Sequence, residues 1–182
     1  DALHRHAGGH PFDTLETLKA LVLAGERPDA LPHPPAVGAR IQSRLRRLSA
    51  PALDLLRVAA LSGDELPVDV ASQVLGRPAM ALAEAWLELE TAQVLQGTRF
   101  AHDLVREAAL ALVPQALRPP LHAQLAQALQ ARPGISAAHL AHHWWQAGRW
   151  PEAADQLCQA ATAAYRTGRL AEHQTLLTRA AQ

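Results

Sequence analysis

Residues 94–113, VLQGTRFAHDLVREAALALV, change their periodicity within one short run, and the rest of the chain has to accommodate that change. Val94-Leu95-Gln96 has the composition of a short strand, Gly97 permits a tight turn, and Thr98-Arg99-Phe100 can return as a second strand. From Asp103 the spacing becomes helical, with Leu104, Ala108, Ala111 and Leu112 recurring on one side. Asp103 is the expected N-cap, and Glu107 sits in the early turns, where a negative charge favours the helix dipole. His102 is then held at the junction of hairpin and helix. Its charged form would oppose that dipole, which makes it a residue with a question attached.

Upstream of this run the pattern is helical and heavily punctuated. Gly8-Gly9-His10-Pro11 reads as a turn, followed by a helix with Leu15, Leu18, Val22 and Leu23 on one face. The segment ERPDALPHPP, 26–35, is too rich in proline to be helical throughout and reads as a linker. Val37, Ile41, Leu45 and Leu48 then line one helix face, with Arg40, Arg44 and Arg47 on another. Ser49 caps a second helix with Pro51 just inside it, burying Leu53, Leu56, Val58, Ala59 and Ala60 and ending at Gly63. A short helix from Val68 to Leu75 closes at Gly76, and a longer one runs from Pro78 to about Glu90. Several helices followed by a two-stranded wing is the order of a winged-helix domain.

Downstream, Pro114 interrupts. A helix opened by Leu117-Arg118-Pro119-Pro120 presents Leu121, Leu125 and Leu129. Ser136 caps the next, to Ala147; Pro151 starts another, to Thr167; and Leu170 starts the last. Gly148-Arg149 and Gly168-Arg169 are similar junctions, and Ala153, Ala154, Ala160, Ala161 and Ala164 allow close helix contact. The pattern predicts a tetratricopeptide-like stack of about one and a half repeats. The expected fold is therefore mainly α. A lid-helix remnant and Pro-rich linker span 1–35, a winged-helix domain with a small β-hairpin spans 36–113, and TPR-like antiparallel helical hairpins span 114–182.

Composition narrows the functional classes. Seventeen basic and seventeen acidic residues cancel, so no global field draws the chain to nucleic acid or an anionic membrane. A single cysteine, Cys158, rules out an intrachain disulfide and fits a reducing, cytoplasmic setting. No apolar run approaches the roughly 20 residues that span a bilayer. The abrupt start, without an initiator Met, suggests a piece of a longer protein.

Catalytic signatures are missing. Gly8-Gly9 lacks the Gly-Lys-Ser/Thr of a phosphate loop, and there is no nucleophile elbow and no Cys/His pairing, so the chain alone is expected to catalyse nothing. His139 and His143 have metal-ligand spacing on one helix, but Leu140 stands where a zinc protease needs Glu, and Trp144-Trp145 follow. The expectation is a helix-packing surface with no metal. Cys158, among alanines, is expected to be a small buried residue. The candidate DNA-recognition helix, 78–90, carries Glu84, Glu88 and Glu90 and no basic residue, so phosphate repulsion would oppose docking.

Several runs together resemble one family. Gly8-Gly9-His10-Pro11-Phe12 resembles a Gly-Gly-Asn-Pro-Leu/Phe turn. Leu45-Arg46-Arg47-Leu48-Ser49 with Leu55 to Gly63 resembles the start of a winged helix. Phe100 to Ala108 is similar to a Phe-x-His-Asp-Leu-Val-Arg-Glu-Ala signature, and Arg118 to His122 resembles the Arg-x-x-Leu-His start of a helical arm. These belong to the segment after the nucleotide-binding domain in STAND-class regulatory ATPases, and most closely to large ATP-binding bacterial transcriptional activators of the LuxR and antibiotic-regulator type. In related NB-ARC proteins a Met-His-Asp motif ends the winged helix, and its His contacts the β-phosphate of bound ADP. Ala101-His102-Asp103 is similar, with Ala for Met. Pro11 occupies the place of a proline that packs on adenine, and His10 replaces the usual Asn beside it.

The resemblance implies a signal-transducing segment that couples nucleotide state to a helical-repeat sensor. His102 and Pro11 would reach ATP or ADP only when the upstream nucleotide-binding domain is present. A protein or small-molecule inducer would act through the helical arm, without direct contact to nucleic acid or membrane. Two other classes remain in view: a DNA-binding winged-helix repressor with a helical dimerisation domain, and a helical protein-interaction scaffold using Trp144 and Trp145.

Overall fold

The computed structural model describes residues 34–180. Pro11, the turn around it and the lid helix expected after it lie outside the described residues. Among the described residues the chain is mainly helical with one small two-stranded antiparallel sheet. Helix α1 spans Pro34–Leu45, α2 Ala50–Ser62, α3 Val68–Leu75 and α4 Ala83–Thr91; the strands are β1, Leu95–Gln96, and β2, Arg99–Phe100. Then come α5, Asp103–Ala111; α6, Arg118–Gln130; α7, Ala137–Gln146; α8, Trp150–Arg166; and α9, Leu170–Ala180. Short 3-10 turns precede α4 and α6. No described helix is long and apolar enough to cross a membrane.

Helix α1 starts at Pro34, two residues inside the segment expected to be linker, because proline is compatible with a helix's first turn. Ile41 and Leu45, one turn apart, are buried, while Arg40, Arg44 and Arg47 face solvent. Ser49 caps α2: its Oγ accepts from the Ala52 N–H at 3.3 Å. The cap is completed from another helix. Glu88 of α4 accepts the Ser49 N–H at 2.8 Å and the Ser49 hydroxyl proton at 2.5 Å. These two bonds hold the Glu88 carboxyl below its usual pKa. Leu55, Leu56, Val58, Ala59, Ala60 and Leu61 are all buried, so α2 is enclosed nearly all round, with α3, α4, α5 and α6 packed on it. Leu53, expected inside, is only half-buried.

The hairpin pairs Leu95 with Phe100 and Gln96 with Arg99, leaving Gly97 and Thr98 as the loop. Gly97 has φ +59°, a conformation a two-residue hairpin turn demands. The segment after α2 adds a third partner. Leu66 N–H donates to the Thr98 carbonyl at 2.8 Å, and Glu65 bridges Arg99 antiparallel. Helix α4 fixes the other side, with Trp86 Nε1 donating to the Gly97 carbonyl at 2.8 Å and Glu90 accepting the Gly97 N–H at 3.2 Å. The N-cap of α5 is His102, not Asp103, and its side chain makes no cap bond. The extended backbone of β2 continues only through His102 (φ −155°, ψ 147°), and Asp103 is already helical, so the helix begins one residue earlier than the sequence suggested.

At the far end of α5, Arg118 donates to the carbonyls of Leu110 (3.0 Å) and Val113 (3.3 Å). This arginine neutralises orphan acceptors where helix and turn leave them. Ser136 caps α7 by accepting from His139 N–H at 3.2 Å. Gly148 and Gly168, both left-handed, reverse the chain between α7, α8 and α9. Leu125, Ala126, Ala128 and Leu129 of α6 belong to the same core as Ile41, Leu56 and Leu89, and this core continues to Trp144 and Ala153. A second, smaller cluster joins Ala141, Leu157, Ala160, Ala161, Ala164 and Leu176. The hairpin-bearing half and the first arm helix are therefore seated in one another.

Leu129 is 2% exposed at this seam. Leu129→Ala is expected to cost about 2–5 kcal/mol in urea unfolding. Cys158→Ala, at an exposed position, is expected to stay within about 0.5 kcal/mol of the parent chain.

Candidate functional site

Where α6 and α7 meet the loop after α2, the chain leaves a cleft of about 810 Å³. Its walls come from both halves: Ser62 to Pro67 and Arg99 on one side, Arg106 and Leu110 of α5 below, and α6 and α7 on the other side. The cleft holds two polar systems, a chain of histidines and a group of arginines.

The histidines come from two helices. His122 lies one turn into α6 on the face of Leu125 and Leu129, and His139 and His143 are one turn apart on α7. His122 Nδ1 lies 2.9 Å from His143 Nδ1, and His143 Nε2 lies 3.1 Å from His139 Nε2. His139 Nε2 also lies 3.3 Å from the Ser62 carbonyl oxygen. One proton assignment satisfies the chain. A carbonyl can only accept, so His139 Nε2 carries a proton shared between Ser62 and His143 Nε2. His143 is then protonated on Nδ1 and donates to His122 Nδ1, leaving the His122 proton on Nε2. His122 and His143 are then neutral, and one more proton on either would set two N–H groups against each other.

Burial favours the same state. His143 is fully enclosed, and desolvation, with the nearby His122, His139 and His142, pushes its pKa down to about 3. The Ser62 carbonyl opposes this shift only in part. Burial, then His142 and Arg118, lowers His122 to about 4. His142 is exposed on the cleft wall and is shifted down in the same direction, by desolvation, His139 and Arg179.

This corrects the reading of the α7 histidines as only a packing surface. His139 and His143 do pack, but through a ring-to-ring chain whose third member, His122, sequence spacing did not connect to them. The signal available was His122 at i, i+3 and i+7 with Leu125 and Leu129, an imidazole on an otherwise apolar face. Among the described residues no group of three or more His, Cys, Asp or Glu has metal-holding geometry. His143 turns opposite nitrogens toward its two neighbours, so the three rings do not converge on a point.

The arginines differ in what they bind. Arg99 pairs with Glu65 at 3.3 Å, and Arg132 pairs with Asp69 of α3. Arg118 spends two donors on carbonyls and has no carboxylate partner among the described residues. Arg106 Nε is buried with no hydrogen-bond partner.

The residues singled out by sequence lie elsewhere. His102 is exposed at the start of α5, and its carbonyl accepts from Arg106 N–H at 3.2 Å, one turn along. It is not among the residues lining the cleft. Cys158, expected to be buried, is exposed: Ala153, Leu157, Ala160, Ala161 and Ala164 take the inward face of α8, and the residue after Leu157 turns outward. Trp144 is core, whereas Trp145 meets Trp150 edge-on at the surface, with ring centroids 4.8 Å apart. Compared with family models, curated proteins and solved structures, the chain gives no match.

The histidine chain has a consequence for pH. His143 and His122 bind protons near pH 6.5 when unfolded and only near 3 and 4 when folded. Their contribution is intact above about pH 6.5 and is lost as pH falls toward those values. For His143 the loss approaches about 1.4 kcal/mol per pH unit. Urea unfolding between pH 6.5 and 5 is expected to show the combined slope of the two histidines, and His143→Gln to reduce it by about half.

Proposed function

We propose that this chain is the regulatory segment that follows the nucleotide-binding domain of a STAND-class ATPase of the bacterial transcriptional-activator type. Residues 36–113 form its winged helix, and residues 114–182 begin its TPR-like arm. The observation that carries the reading is the position of His102. The Phe100–Ala108 run falls on β2 and the first turns of α5, and His102 stands exposed at their junction. An imidazole there is open to a neighbouring domain while its backbone is fixed by the hairpin on one side and the helix on the other. In this reading His102 meets the β-phosphate of ADP held by the upstream domain, and Pro11 packs on the adenine.

A shared core supports the relay. Displacing the hairpin-bearing half means carrying α6 with it, because Leu125 and Leu129 are buried among its residues. Nucleotide exchange would thus move the arm as a body, and an inducer acting on the arm would in turn alter the grip on ADP. The segment itself performs no chemistry; hydrolysis belongs to the parent protein's nucleotide-binding domain, in the cytoplasm.

The winged-helix repressor alternative is disfavoured by α4, where Glu88 and Glu90 are committed to Ser49 and Gly97, Glu84 is exposed, and no basic residue offsets them. The scaffold alternative draws on the surface pair Trp145 and Trp150, 36% and 55% exposed.

The test joins the chain to its native upstream domain and replaces His102 with Ala. Bound ADP after gel filtration is expected to fall, with a faster release rate and higher basal activity. Unchanged ADP retention would refute the clamp, and saturable, salt-sensitive duplex binding by the 182-residue chain would favour the repressor.

A further inference from the structure

Beyond any contact with an upstream nucleotide, the cleft between α2, α5, α6 and α7 has the chemistry of a small-molecule site. Its volume of about 810 Å³ lies within the range of ligand pockets, roughly 300–1,000 Å³. Apolar side chains, Leu61, Leu110, Leu129 and Ile135, meet a few polar groups there. The polar groups have one dominant sign. Arg99 and Arg132 are neutralised by Glu65 and Asp69, but Arg106 and Arg118 have no carboxylate partner among the described residues. Asp64 is the acid left over on the wall, and it is exposed to water.

Arg106 is the key residue. A guanidinium has five N–H donors, and a buried one without an acceptor is costly to leave unmade. Arg106 is half-buried on α5, its Nε enclosed and without a partner, on the wall of a cleft large enough to bring an acceptor to it. The neighbouring imidazoles of His122, His139 and His142 add N–H groups to the same walls.

We propose that this cleft binds a small organic oxyanion, its carboxylate or phosphate head held by Arg106 and Arg118 and its apolar body resting on Leu110, Leu129 and Ile135. Planar guanidinium groups bind both heads in the same forked geometry. The ligand would touch α5 and α6 together, and so would stiffen the seam between hairpin-bearing half and arm.

The experiment uses the 182-residue chain at low ionic strength, titrated calorimetrically with inorganic phosphate, phenyl phosphate and benzoate, and with benzyl alcohol as neutral control. Saturable binding of phenyl phosphate or benzoate is expected, tighter than inorganic phosphate and at least tenfold tighter than benzyl alcohol. The tighter of the two organic probes identifies the head group. Arg106→Gln is expected to weaken binding at least tenfold, and Arg106→Lys to weaken it less. In the unaltered chain, the imidazole NMR signals of His122, His139 and His142 are expected to move in proportion to occupancy. No saturable binding by either organic probe would overturn the proposal. So would equal affinity in Arg106→Gln, benzyl alcohol binding as tightly as the anions, or histidine signals that stay still.

Discussion

The seating of α6 against the enclosed helix α2 is the contact on which the rest of this molecule depends. Helix α2 is covered on most of its surface: α3, α4 and α5 pack on it from its own half, and α6 closes it from the other. Leu125 and Leu129 complete a core that begins at Ile41, and through Trp144 and Ala153 the same core reaches α7 and α8. Removing α6 would uncover part of α2, whose residues 58–62 are all buried. The hairpin, by contrast, is too short to stand alone, and is held by Trp86 and Glu90 of α4 and by Glu65 of the segment after α2.

The same seam creates the polar cleft. Helices α6 and α7 bring His122 and His143 within 2.9 Å, and the end of α2 offers the Ser62 carbonyl to His139. Imidazoles satisfy one another in sequence, so a buried polar chain is sustained without a carboxylate. Cation and acceptor are matched at Arg99, Arg118 and Arg132 and left unmatched at the Nε of Arg106. A residue on the helix capped by His102 thus ends in a cleft lined by the arm.

Much of the fold was legible because its punctuation is local. Ser49 and Ser136 cap helices whose first turns follow directly, and Gly76, Gly148 and Gly168 end helices in left-handed conformations that glycine tolerates. Other features depend on partners distant in sequence. Glu88 reads as a solvated acid until Ser49, 39 residues away, is placed beside it. The Glu65–Leu66 segment, bounded by Gly63 and Pro67, gives no strand signal, and only its pairing with Thr98 and Arg99 reveals its role. His122 and His143 are 21 residues apart on different helices, and no periodicity links them. His102 was legible as a junction residue, but the exact cap was not, because the helix takes in Asp103, the residue whose side chain best suits the cap, and the extended backbone stops one residue sooner.

If hairpin-bearing half and arm form one body, their protection from solvent must have one origin. Native-state hydrogen exchange of the buried amides of α2 and α6 measures this directly. The account predicts a common opening free energy in both helices, equal to that of global unfolding and moving together with added urea. Opening of α6 at a distinctly lower free energy, while α2 stays protected, would contradict it.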